Sequence, residues 1–132
     1  PFVELAAQIE VEISQLPEDE RGMFMEEYGI DETGVHKVAR AIYSSLGMIS
    51  FFTVGEDEVR AWPIADGTVA KKAAGKIHTD IEKGFIRAET LAYEDIKKLG
   101  SVAAARSAGC YRLEGKEYVV ADGDIINFRF AI

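Results

Sequence analysis

The stretch KIHTDIEKGF, Lys76 to Phe85, places His78, Asp80 and Glu82 at alternate positions. All three are metal-ligand types, and His78 could also act as a general base. One metal needs the three side chains to converge. On a strand, alternate residues share a face, but three of them spread over about 13 Å. On a helix, i and i+2 side chains point apart. General-base chemistry at His78 needs a partner held against it, and the sequence supplies none. The same residues make a coherent turn. Thr79 to Glu82 fits the capping-box pattern, in which the Thr79 hydroxyl accepts from the Glu82 N–H and the Glu82 carboxylate reaches back. Gly84 then allows a left-handed exit. The expectation is a capped turn with no metal and no catalytic residue.

Nucleotide chemistry fares no better. A phosphate-binding loop needs G-x-x-x-x-G-K-[ST]. The pairs Gly75-Lys76 and Gly115-Lys116 are followed by Ile77 and Glu117, and both lack the upstream glycine. Asp31 to Gly34, DETG, has the D-x-x-G shape of a nucleotide switch, but it does not follow a buried apolar strand, so helix capping accounts for it. No G-x-S-x-G or H-E-x-x-H motif occurs. The single cysteine, Cys110, has no partner for an internal disulfide, and AGCYR is no known nucleophile context. The expectation is no self-sufficient hydrolase in these residues.

The elements that position these residues follow from periodicity. FVEL reads as a short strand. Ile9, Ile13 and Leu16 recur at helical spacing, and a second helix starts at Pro17, with acids suited to its N-terminus. A third carries Val35, Val38, Ala39, Ile42, Tyr43 and Leu46 on one face and stops at Gly47. The period then changes. MISFFTV and EVRAWPI read as a hairpin, with Arg60 and Trp62 sharing a face and the second strand ending at Pro63. Thr68 reads as the N-cap of a helix that Gly75 ends. FIRAETLAY is a strand, and two helical pieces follow, closed by Gly100 and Gly109. The C-terminus reads as short strand, turn at Gly115, short strand, Asp122-Gly123 turn and final strand. Ile126, Phe128, Phe130 and Ile132 share one face of that strand; Asn127 and Arg129 share the other. This is an α+β chain with one sheet and a helix across it, which fits the β-grasp (ubiquitin-like) arrangement.

With 132 residues, 48% of them hydrophobic, the chain suffices for one core with room for a small second unit. It opens on Pro1 without an initiator Met, as expected of a fragment or processed product. No apolar run reaches a membrane span and no signal peptide is visible, so no membrane partner is expected; the lone Cys110 suits a reducing cytoplasm, the expected location. The net charge of −8 is uneven: residues 1–35 hold ten acids against Arg21, whereas residues 36–132 hold fourteen bases and thirteen acids. The later part can therefore carry a local basic patch.

Ile49 to Thr90, with its runs FFTVG, EVRAW and AAGKIHTDIEKGF, resembles the C-terminal region of the YchF/Obg-like ATPase family. LEGKEYVVADGDIINFRFAI resembles the same family's terminus, and YGIDETGVHKVARAIYSSLGMISFFT its helical approach. The resemblance implies a TGS domain of β-grasp fold at residues 48–132, a module also found in threonyl-tRNA synthetases and stringent-response enzymes. Residues 1–47 would then be a strand and helices from the end of a P-loop GTPase-like domain. It further implies a parent that hydrolyses ATP in preference to GTP, uses Mg²⁺ and associates with ribosomes and nucleic acid, with its phosphate loop upstream. No cofactor is expected in the present residues. Ala6, Ala7 and Gln8 match the family's base-side loop, with Gln8 where lysine is frequent. A TGS domain carries no agreed catalytic residues.

The implied function is a non-catalytic module that meets the ribosome, RNA or the upstream NTPase domain. Lys71, Lys72, Lys76, Lys83 and Arg87 are the candidate nucleic-acid contacts, since phosphate recognition needs only a local positive field. The alternative is a regulatory protein-interaction module using Arg60, Trp62 and His78. Unpaired apolar helix faces in residues 1–47 would favour homo-association.

Overall fold

Up to Gly47 the apolar residues recur at helical spacing, and the first strands follow directly after it. The chain divides there into two compact units, residues 1–46 and 47–132. The structure, a computed structural model, describes residues 2–55 and 57–131.

The first unit holds α1 (Ala7–Gln15), α2 (Glu18–Glu27) and α3 (Gly34–Ser45). Ile13 of α1 is buried, and Phe24 stacks on Tyr28 at 4.5 Å along α2. The strand expected at Phe2–Leu5 does not form. No other extended segment among the described residues of this unit offers a ladder to it, and a strand is stable only as part of one. The expected capping of α3 is also supplied differently. The Thr33 side chain makes no cap bond; instead the Gly34 N–H donates to Glu10 Oε1 at 2.8 Å. A Cβ on Gly34 would lie 2.9 Å from Glu10 Cδ, so glycine makes room for this carboxylate. An anion at a helix N-terminus satisfies an orphan donor and complements the dipole.

The second unit runs β1 (Met48–Val54), β2 (Val59–Ala65), α4 (Ala70–Ile77), α5 (Thr79–Lys83), β3 (Phe85–Ala92), α6 (Tyr93–Leu99), α7 (Val102–Ser107), β4 (Arg112–Glu114) and β5 (Asp124–Phe130). The sheet order is β2-β1-β5-β3-β4. β1 and β5 are parallel at its centre, and the other pairs are antiparallel. With α4 packed on one face, this is a β-grasp fold. The core joins Phe51, Ile64, Ala88, Ile126 and Phe128 of the sheet to Ala70, Ala73 and Ala74 of α4. The alanines let the helix approach closely, and Phe51 meets Phe128 edge to face at 5.9 Å. Burying a ring such as Phe51 contributes roughly 1.5–3 kcal/mol.

Several boundaries differ from the sequence reading. Val69, not Thr68, is the N-cap of α4; the Thr68 hydroxyl donates to the Ala65 carbonyl at 2.6 Å and holds the preceding turn. α4 passes through Gly75 to Ile77. The short strand expected after Gly115 is reduced to an isolated bridge, Val69 to Val119. The segment's backbone is bonded to the entry of α4 instead: Ala70 N–H donates to Tyr118 O at 2.7 Å and Val120 N–H to Thr68 O at 3.0 Å. In β5, Ile126 and Phe128 face the core as expected, whereas Phe130 is 41% exposed; Ile132 lies outside the described residues.

Candidate functional site

The histidine turn is built by its neighbours on α4 and α5. His78 lies between the two helices with extended backbone, and its Nδ1 accepts from the Asp80 N–H at 3.2 Å. His78, not Thr79, is therefore the N-cap of α5. The capping box fails because Glu82 has a stronger partner: its carboxylate accepts from Lys72 Nζ at 2.7 Å. This charge-assisted bond holds the Glu82 carboxyl below its ordinary range and raises Lys72 above its own. His78 Nδ1 also lies 3.4 Å from Asp80 Oδ2. The cap needs that nitrogen unprotonated and the ion pair needs it protonated, so one contact replaces the other. His78, Asp80 and Glu82 do not converge, and no metal-ligand cluster occurs among the described residues.

Gly84 departs from the expected left-handed exit. Its φ is −86°, open to any residue. Glycine is required by crowding, because a Cβ there would stand 1.9 Å from the Ala131 carbonyl oxygen. The Ala131 N–H donates to Gly84 O at 3.0 Å, tying the chain's end to this turn.

The five candidate cations do not form one patch. Lys71, Lys72 and Lys76 lie on α4 and Lys83 ends α5. Arg87 lies on β3, where Ala88 and Thr90 face α4, so Arg87 projects from the other sheet face. It stands opposite Arg129 in the β3–β5 register. The α4–α5 layer thus offers four lysines and His78 against two carboxylates, Asp80 and Glu82, with Lys72 already paired.

Arg60 and Trp62 share the α4 side of β2. The Arg60 guanidinium lies 4.1 Å from the Trp62 ring centroid. The indole packs on the core, and its Nε1–H donates to Thr53 Oγ1 at 2.9 Å. Ala6 caps the start of α1, Ala7 and Gln8 occupy its first turn, and Gln8 Nε2 donates to Glu12 Oε1 at 3.3 Å.

Two polar clusters escaped the sequence reading. On the face away from α4, Glu89 accepts from Asn127 Nδ2 at 3.0 Å and from Arg129, and these bonds hold its carboxyl below the ordinary range. The alternation of Asn127 with Arg129 marked that face, but not the acid they share. Near the α4 side, buried Asp124 accepts from the Tyr118 hydroxyl at 2.8 Å and from the Ala121 N–H at 2.9 Å, while Arg112 donates to the same hydroxyl at 3.0 Å. Burial, then the bond to Asp124, pushes the Tyr118 hydroxyl up to about 12.

Comparison with known proteins gives consistent matches. The C-terminal YchF-GTPase family model, described as a protein of unknown function, matches residues 48–131. The chain is 54% identical over 128 residues to the "Ribosome-binding ATPase YchF" of Bacillus subtilis, covering 97% of this chain and 35% of that protein. It is 45% identical over 128 residues to the "Obg-like ATPase 1" of Homo sapiens, covering 97% of this chain and 32% of that one. Among solved structures, the Schizosaccharomyces pombe YchF GTPase aligns with a TM-score of 0.79 at 36% identity, over 97% of this chain and 34% of that one. The chain spans about a third of the length of these relatives.

Proposed function

The chain belongs to the YchF/Obg-like ATPase family, and from that premise we propose that it is the non-catalytic C-terminal module of a cytoplasmic nucleotide-binding protein. The remainder of such a protein would supply ATP or GTP binding and Mg²⁺. The module supplies contacts, chiefly to the ribosome or its RNA, through the outer surface of α4 and α5. The observation that carries this reading is the lysine excess of that layer in a chain of net charge −8. A local positive surface meets phosphates without a basic chain as a whole. The relatives' printed name, ribosome-binding ATPase, agrees with it.

Residues 1–46 have a different task in this reading. The α3 residues Val35, Val38 and Ile42 line an apolar cavity of about 490 Å³ with Leu5 and Ala7. We assign this face to the upstream NTPase domain of a longer chain. A regulatory protein-interaction role through Arg60, Trp62 and His78 is the competing reading.

Cosedimentation with ribosomes across a salt series tests the main reading. Lys71→Glu with Lys76→Glu is expected to abolish binding and flatten its salt dependence, and binding unchanged by that pair would defeat it. RNA-independent capture of a separately produced NTPase domain, lost on Arg60→Ala, would favour the competing reading.

A further inference from the structure

β1 and β5 run parallel, yet their ladder among the described residues is the single pair Phe52 with Ile125. Neither Thr53 with Ile126 nor Val54 with Asn127 pairs. Beyond Phe52 the ladder stops, and residues at the ends of both strands line a cavity of about 300 Å³. Val54 lines one wall and Phe128 with Phe130 the other; Ile77 and Ile81 lie at the end of α4 and in α5, and Glu58 comes from the β1–β2 turn.

The backbone of this fork has a direction. The Gly55 N–H donates to Glu58 O at 2.8 Å, which makes that turn pair a hydrogen-bonded one. By the alternation of an antiparallel ladder, Thr53 and Arg60 form the next bonded pair. Val54 therefore turns its N–H and C=O away from β2, toward the gap. A continued parallel ladder would bond Val54 to Ile126 and Phe128, so those residues point their groups into the same gap. Unpaired backbone groups of both strands thus face one cavity, with Ile77 and Ile81 on its floor.

We propose that this fork receives a short extended peptide segment from a protein partner, with an apolar side chain on Ile77, Ile81 and Phe128 and a lysine or arginine at Glu58. An extended chain presents donors and acceptors at strand spacing and can complete both edges. Glu58 is the charged side chain of the lining and has no paired cation among the described residues. That charge favours a basic segment and opposes a nucleic acid phosphate. The fork is distinct from the outer surface of the α4–α5 layer, so the two proposals can fail separately.

The test uses the whole 132-residue chain, labelled with ¹⁵N. It is titrated with an acetylated hexapeptide alternating lysine with leucine, and separately with its glutamate–leucine counterpart. The lysine peptide is expected to shift the Val54, Ile81 and Phe128 amides saturably, and the glutamate peptide is not. Glu58→Lys, at an exposed position that leaves the core untouched, is expected to weaken the lysine peptide about five-fold, the size of one exposed ion pair, and to admit the glutamate peptide. Equal responses to both peptides, shifts confined to the α4–α5 lysines or to the free edge of β2, or no saturable shift would each overturn the proposal. So would shifts at the same amides from oligouridylate, or from raising the chain's own concentration.

Discussion

At the scale of single residues, buried polar atoms separate good local chemistry from tolerated cost. Asp124 has three kinds of partner in Tyr118, the Ala121 N–H and Arg112. Thr90 has none: its Oγ1 is buried without a hydrogen-bond partner among the described residues. A buried unsatisfied hydroxyl costs about 1–3 kcal/mol, and replacing it by an apolar group of the same shape removes that cost. Thr90→Val is therefore expected to raise the urea midpoint by the equivalent of about 1 kcal/mol, with an unchanged m value. A lower midpoint would mean that the hydroxyl is bonded after all. Tyr118 carries a pH signature with the opposite logic. Its folded pKa is raised from 10.0 to about 12, so the fold favours the protonated phenol. The associated stability is fully present below pH 10 and is lost as pH rises toward 12. An alkaline absorbance titration should show a late phenolate step near pH 12 that Tyr118→Phe deletes. Survival of that step in the variant would assign it elsewhere.

At the scale of elements, periodicity revealed which segments pair and cross, while their junctions depend on contacts it cannot see. The alternation of Arg60 with Trp62, and of Asn127 with Arg129, is local, so both strands were legible. The short segment after Gly115 was not, because its backbone bonds to the start of α4 rather than to a neighbouring strand. The cap of α3 comes from Glu10, 24 residues away, and no motif window spans that distance. Pro63 does not end β2 as the sequence suggested; the strand runs on to Ala65. By the alternation set at Gly55, Pro63 lies at an outward-facing position of edge strand β2, where its missing N–H leaves the β1 ladder intact and blunts the edge. Gly84 was read as a turn glycine, yet its role is to admit Ala131. Since its φ is ordinary, Gly84→Ala tests crowding and not backbone strain. A Cβ facing a backbone oxygen cannot be relieved by a rotamer change, so the β5 end or α5 must shift. A loss of about 1–3 kcal/mol is expected, with earlier hydrogen exchange at the Ala131 amide. Unchanged stability and exchange would show that the chain's end is held from elsewhere.

At the scale of the whole molecule, the two units differ in how much they bury. The core of residues 47–132 is assembled wholly within that unit. In residues 1–46, Ile13 is buried, while Val35 is 75%, Ile42 52% and Leu46 69% exposed. Sequence spacing identified this stripe on α3 and set the expectation that it is left unpaired: it has the pattern of a core face without covering elements in these residues. Exposed apolar area of this kind drives association when nothing covers it. The chain is therefore expected to self-associate with rising concentration, and Val35→Glu with Ile42→Lys, which leaves net charge unchanged, is expected to keep it monomeric in sedimentation. Trp62, the single tryptophan, reports the second unit separately, because its indole packs on that unit's core. Its fluorescence transition in urea should be the same in the parent chain at low concentration and in the double variant. Association that persists in the variant would place the contact elsewhere, at the β2 edge or the fork. A shifted Trp62 transition would show that the two units unfold together, and that the first unit contributes to the stability of the second.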